Sequence, residues 1–150
     1  MIANTVAYDI IFIVHVVAAL ATLTVFVAMR GAAQLVARGA DGATQRSRFP
    51  TRRNWAARVV HVLPVTGLLM SLTGDSAVSL TRPWIGLGIL CYLAAAGHLE
   101  ARTLPLERVV AEVIVKDGVA SPQRGRQLTR SIDTMLAILA VALVAMLVQF

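Results

Sequence analysis

Four long apolar runs, separated by polar segments, dominate the pattern of hydrophobic and polar positions along the chain. They cover about residues 8–29, 55–73, 84–103 and 132–150. Each has close to the roughly 20 residues that an α-helix needs to cross a hydrocarbon core of about 30 Å. The pattern therefore predicts four membrane-spanning helices in one domain, residues 1–150.

The segments between the spans predict how the helices are arranged. Residues 39–53 are polar and rich in arginine, which is typical of an irregular connector, whereas residues 73–83 form a short turn that favours antiparallel second and third spans. Residues 105–117 carry apolar side chains at helical spacing, which predicts a short cytoplasmic amphipathic helix along the membrane surface or folded back on the bundle. We expect an all-α polytopic membrane protein: an up-down-up-down four-helix transmembrane bundle.

Composition and charge agree with this prediction. Hydrophobic residues make up 57% of the chain and mean hydropathy is +0.73, far above that of soluble domains. The net charge is +6, yet thirteen of the fourteen basic residues lie in residues 30–58 and 102–130, on one side of the predicted bundle. This distribution indicates the lipid bilayer as partner and no nucleic acid. By the positive-inside rule, both long loops are cytoplasmic and both termini are outside.

Two histidines inside the predicted spans are the main candidates for chemistry. His61 lies roughly 10 Å from the start of the second span, and His98 roughly 7 Å from the end of the third, so their depths are similar. Two neutral imidazoles on neighbouring helices are the axial ligands of a b-type haem. Arg58 and Arg102 lie one turn nearer the same face, where they would pair with the haem propionates. The working hypothesis is a b-type haem-binding or redox-accessory membrane protein.

Other interpretations of the same residues stay open. The histidines could instead make structural hydrogen bonds, bind a different metal or relay protons. A cofactor-free structural or assembly subunit is a second function class, in which Gly88, Cys91 and Ala95 form a small-residue stripe for a partner transmembrane helix or a second copy. A third class is passage of a small solute or proton, favoured if Pro64 bends the second span and opens a cavity.

The remaining polar residues in the spans limit which residues could belong to the site. Some 10 Å of bilayer separates His15 from the other two histidines, so it cannot share their ligand set. Glu100 and Asp133 fall near the arginine-rich interface, where Arg58, Arg102 or Arg130 would pair with them. No motif suggests a nucleophile or paired catalytic carboxylates, so we do not expect an enzyme.

Residues 63–97 resemble a family of small four-span bacterial integral membrane proteins, domain of unknown function 2269. The resemblance rests on the Pro-x-Thr-Gly of the second span (Pro64, Thr66, Gly67) and on the short turn that closes on Pro83 and Trp84. A tyrosine–leucine pair in the third span is also similar. About two thirds of the chain takes part in the resemblance.

The resemblance implies a fold and a location rather than an activity. It implies four spans in the bacterial cytoplasmic (inner) membrane. The family tends to carry a histidine in the first span, here His15. The chain departs from it at His98, where many members have an aromatic or apolar residue, so the resemblance does not extend to the paired histidines.

Overall fold

The computed structural model describes residues 2–49, 54–74 and 80–149. Within these residues, every regular element of secondary structure is a helix. Parts of the predicted connector (50–53) and of the predicted turn (75–79) lie outside the described residues. The helices, in chain order, are α1 (Ile2–Ala37), α2 (Gly42–Arg48), a 3₁₀-helix (Ala56–His61) that runs into α3 (Val62–Thr73), α4 (Pro83–His98), a π-helical segment (Leu99–Thr103), α5 (Leu104–Asp117) and α6 (Pro122–Val148).

Four helical stretches are long and apolar enough to cross a membrane. They are Val6–Ala37, Ala56–Thr73, Pro83–Asp117 and Pro122–Val148. Many large apolar side chains are exposed on their outer surfaces, among them Leu20, as expected for helices that face lipid rather than water. The prediction of an all-α membrane protein with four spans is confirmed.

The first and last spans form the centre of the bundle. Helix α1 packs along both α3 and α6, and α6 packs along both α1 and α4. Helix α3 and the 3₁₀-helix before it make only a small contact with α4. The second and third spans therefore meet over a short length, although they follow each other in the chain.

The amphipathic segment continues the third span and packs against the bundle. Helix α5 follows α4 directly through the π-helical segment, and it packs against α2 and α6. The reason is burial: Leu104, Val110 and Ile114 belong to the protein core. Pro105 lies just after the π-helical segment, and the helix continues through it.

A buried glutamine closes the end of the bundle at which α1 ends and α6 begins, which we call the arginine-rich end. The side chain of Gln45, in α2, is fully buried and donates to the carbonyl of Ala40 at 2.8 Å. Its carbonyl accepts from the backbone N–H of Ala120, also at 2.8 Å. Because one side chain bonds the α1–α2 and α5–α6 connections, these connections are fixed relative to each other.

Candidate functional site

His61 is the centre of a polar cluster between the second and third spans. Its Nδ1 lies 3.1 Å from the hydroxyl of Tyr92, and its Nε2 lies 3.7 Å from a carboxylate oxygen of Glu100. The first distance is that of a hydrogen bond, whereas the second is longer than a direct bond. A neutral ring that accepts from the phenol carries its proton on Nε2, facing the carboxylate. Both ring nitrogens of His61 therefore face oxygens of titratable groups.

The 3₁₀-helix places further members of this cluster on the same side as His61. Residues three apart eclipse each other in a 3₁₀-helix, so Trp55, Arg58 and His61 project on the same side. The Nη2 of Arg58 donates to Glu100 at 2.8 Å, and its guanidinium carbon lies 5.5 Å from the centre of the Trp55 ring. The buried Nη1 of Arg58 has no acceptor among the described residues. Arg58 thus fixes Glu100 beside His61 and leaves one donor open.

His98 belongs to a different contact, between the third span and α6. Its Nε2 lies 3.0 Å from the hydroxyl of Ser131 and 3.1 Å from the Ser131 carbonyl oxygen. A carbonyl oxygen can only accept, so an Nε2 that is hydrogen-bonded to it carries the proton and donates it to Ser131. In this arrangement Nε2 has no lone pair to offer a metal.

The π-helical segment explains why two residues of the third span reach Ser131. In an α-helix, residues five apart differ by about 140° around the axis, whereas in a π-helix they are bonded to each other and nearly aligned. His98 precedes the segment and Thr103 ends it. The hydroxyl of Thr103 lies 2.9 Å from that of Ser131. The π turn therefore places both side chains on the face that contacts α6.

The structure does not bring His61 and His98 together. Tyr92 and Glu100 mark the side of the third span that faces His61, whereas His98 points to α6 on nearly the opposite side. Arg102, the second predicted propionate partner, is exposed. The geometry gives no support to a bis-histidine haem site in this arrangement. Haem binding stays a prediction, and it would require both imidazoles to leave their present partners.

His15 makes its own contact with the second span. Its Nδ1 lies 2.7 Å from the hydroxyl of Thr66, which in turn donates to the carbonyl of Val62 at 2.9 Å. A Cβ added at Gly67 would come within 3.7 Å of the imidazole ring, so this glycine leaves room for the histidine. His15 therefore links α1 to α3, apart from the cluster around His61.

The small-residue stripe of the third span packs within the same chain. Cys91 and Ala95 are buried, and a Cβ added at Gly88 would lie 3.7 Å from the terminal carbon of Met146 in α6. Small residues allow α4 and α6 to approach closely. Gly88 of the stripe thus faces α6, and binding of a partner transmembrane helix through the stripe stays a prediction.

Tyr92 and Ser131 are the site residues that sequence reasoning missed. Tyr92 is a hydroxyl in an apolar helix, and such a group needs a hydrogen-bond partner in the membrane. That signal was present in the sequence for Tyr92, whereas Ser131 lies in the polar first part of α6 and has no such signal. Within the described parts of the chain, no group of three or more His, Cys, Asp or Glu is placed to hold a metal ion.

Comparison with protein-family models, with curated proteins and with solved structures gives no match for this chain. The resemblance of residues 63–97 to a four-span bacterial family accordingly stays a prediction. The function has to be inferred from the arrangement of the side chains.

Proposed function

We propose that the protein transfers protons across the membrane, with His61 as the transfer group on the side of the arginine-rich end. The observation that carries this proposal is the position of the imidazole, with Nδ1 at 3.1 Å from the Tyr92 hydroxyl and Nε2 at 3.7 Å from Glu100. An imidazole can take up a proton at one nitrogen and release another proton from the other. His61 has a titratable oxygen on each side for these two steps.

The transfer has a defined route through the cluster. A proton that arrives from the Tyr92 side binds Nδ1 and produces the imidazolium. The proton on Nε2 then moves to the carboxylate of Glu100, directly or through one water, and the ring is neutral with its remaining proton on Nδ1. A ring flip or tautomer exchange restores the proton on Nε2 before the next transfer. The Glu100 side chain is 45% exposed, so it can release the proton to solvent.

Arg58 is a positioning residue in this proposal. Its bond to one oxygen of Glu100 leaves the other oxygen to face His61. The positive-inside rule favours the cytoplasm for the arginine-rich end, so the route would open to the cytoplasm.

Proton flux into liposomes tests the proposal. Purified protein is reconstituted into vesicles that contain a pH-sensitive dye, and a pH step is applied with valinomycin and potassium to cancel the membrane potential. We expect faster equilibration than in protein-free vesicles, and a loss of most of that increment in His61→Ala and Tyr92→Phe.

The matched control is His98→Ala, which removes an imidazole at similar depth on the opposite side of the third span. Its flux should equal that of the unmodified protein. If the unmodified protein is no faster than empty vesicles, or if His98→Ala reduces flux as much as His61→Ala does, the proposal is wrong.

A further inference from the structure

We propose that a groove between α1 and α6 at the arginine-rich end binds the phosphate of an anionic phospholipid. The groove has a volume of about 280 Å³, and both helices contribute to its lining: Gln34, Ala37, Arg38, Arg126, Thr129 and Arg130. This binding site is independent of the cluster around His61, which lies between other helices.

A glycine creates the geometry of the groove. A Cβ added at Gly125 of α6 would collide with the backbone of Val36 and Ala37 in α1, so the two helices touch there backbone to backbone. At this spacing the long side chains beside the contact cannot fit between the helices and lie along its edge instead. Arg38 and Arg126 are thereby held on the two sides of one opening.

The charge of the groove favours an anion. Three of its six lining residues are arginines, and none of the three has a carboxylate partner in the part of the chain that the structure describes. The nearby carboxylate of Asp133 is already bonded by Arg30. Like charges held in one groove repel each other, and a phosphate both removes that repulsion and accepts several guanidinium hydrogen bonds.

The depth of the groove points to a lipid rather than to free phosphate. Counting about 1.5 Å per residue, Gln34 lies roughly 6 Å and Arg38 roughly 12 Å beyond Arg30 along α1. A headgroup layer is about 5–7 Å thick on each side of the hydrocarbon core. If the Arg30–Asp133 pair marks the edge of the core, the groove lies in and just beyond the headgroup layer.

The surfaces above the groove fit acyl chains. Val27 lies on the same face of α1 as Gln34, and Val141 lies on the same face of α6 as Arg130. Their exposed fractions are 58% and 52%. A phospholipid with its phosphate among the arginines would therefore lay its chains on exposed apolar side chains.

Native mass spectrometry of delipidated protein in mild detergent tests the site. Phosphatidylglycerol and phosphatidylcholine with the same acyl chains are titrated separately, and inorganic phosphate is added alone and as a competitor. We expect one tightly bound phosphatidylglycerol per chain, with phosphatidylcholine and millimolar inorganic phosphate at least about tenfold weaker, because each arginine near an anionic lipid adds to the attraction.

A triple variant and a charge-matched control locate the site. Arg38→Gln, Arg126→Gln and Arg130→Gln together should weaken phosphatidylglycerol binding about tenfold or more. The control changes three other exposed arginines at the same end, Arg46→Gln, Arg48→Gln and Arg108→Gln, and should change binding less than about threefold because these arginines do not line the groove. Circular dichroism and size-exclusion chromatography check that both variants are folded.

Three results would overturn the proposal. Equal retention of the two lipids would show that no anion is selected. An equal loss in both triple variants would show that diffuse charge, not the groove, attracts the lipid. Displacement of phosphatidylglycerol by inorganic phosphate at similar concentration would show that the groove binds free phosphate.

Discussion

The Nε of Arg30 lies 2.5 Å from a carboxylate oxygen of Asp133, and this ion pair joins the first span to the last. The two residues are 103 positions apart in the sequence. Both side chains are about half exposed, 40% and 45%, at the depth where the apolar part of the bundle ends. The pair therefore ties together the two central helices at the membrane edge.

Exchanging the two charges should preserve part of the stability that the ion pair contributes. Arg30→Ala and Asp133→Ala should each lower the melting temperature in detergent, and a double-mutant cycle should give a coupling of up to about 1 kcal/mol, because the pair is not fully buried. The swapped variant, Arg30→Asp with Asp133→Arg, should be more stable than either swapped single variant. Strictly additive effects would show that the pair contributes nothing.

A methyl group at Gly125 should separate α1 from α6. Gly125→Ala places its Cβ against the backbone of Val36 and Ala37, which cannot move aside as a flexible side chain could, and we expect a loss of about 1–3 kcal/mol. Gly31→Ala is the control, because a Cβ at this helical position meets nothing within 4 Å. It should be neutral or stabilising by up to about 1 kcal/mol. Thermal unfolding in detergent measures the stability of both variants. Equal effects of Gly125→Ala and Gly31→Ala would contradict the close contact of α1 with α6.

Removal of the Ser131 hydroxyl should destabilise the contact between the third and fourth spans. Ser131→Ala leaves the hydroxyl of Thr103 and part of the His98 hydrogen bonding without a partner, at an expected cost of about 1–3 kcal/mol. Thr134→Ala is a matched control, since its exposed hydroxyl bonds only the Arg130 carbonyl of its own helix. Thermal unfolding should show a lower melting temperature for Ser131→Ala than for Thr134→Ala. An unchanged melting temperature in Ser131→Ala would refute the role of this hydroxyl.

The capping carboxylate of α2 should make the arginine-rich end sensitive to acid. The hydroxyl and backbone N–H of Thr44 donate to Asp41 and lower the pKa of this carboxyl below its ordinary value. A lowered pKa means that the stabilisation is complete above the ordinary value of about 3.9 and is lost as the pH falls through the folded value.

Hydrogen exchange of the Thr44 amide measures this loss of protection. Exchange protection should fall as the pH is lowered below about 4, after correction for the intrinsic exchange rate. Asp41→Asn keeps a capping oxygen and should show no such pH dependence in this range. Identical profiles for the two proteins would show that Asp41 does not stabilise α2 through its charge.

An absorption spectrum separates haem binding from the arrangement described above. If His61 and His98 keep their present partners, protein purified after haem-supplemented expression should show no Soret band, with or without dithionite. A Soret band that disappears in both His61→Ala and His98→Ala, but persists in His15→Ala, would show that the two imidazoles rearrange to bind haem.

The position of a residue along its membrane-spanning helix could be predicted from the sequence. The direction in which its side chain points around the helix axis could not. Counting residues correctly gave four spans, and the arginine three positions before His61 shares its side on any helix. The partner of Glu100 was among those expected, whereas Asp133 pairs with Arg30 rather than with the expected arginines. How far each helix rotates depends on all its neighbours, so the separation of His61 from His98 has no local signal.

The π-helical segment could not be predicted for a related reason. Its five residues, Leu99–Thr103, are ordinary helix formers, and although Pro105 indicates a distortion of the turn before it, it does not specify a π pattern. The π pattern accompanies a contact with α6, in which Ser131 meets two side chains of the third span at once.

Two ion pairs lie at one end of the bundle, Arg30 with Asp133 and Arg58 with Glu100. They should determine how deeply the protein sits along the membrane normal. Between them they include all four spans, and both lie at the same end of the apolar zone. To slide toward the opposite side, the bundle would have to draw both pairs into hydrocarbon together. In a membrane of unsuitable thickness, the mismatch should therefore be met by the surrounding lipid rather than by a shift of the protein.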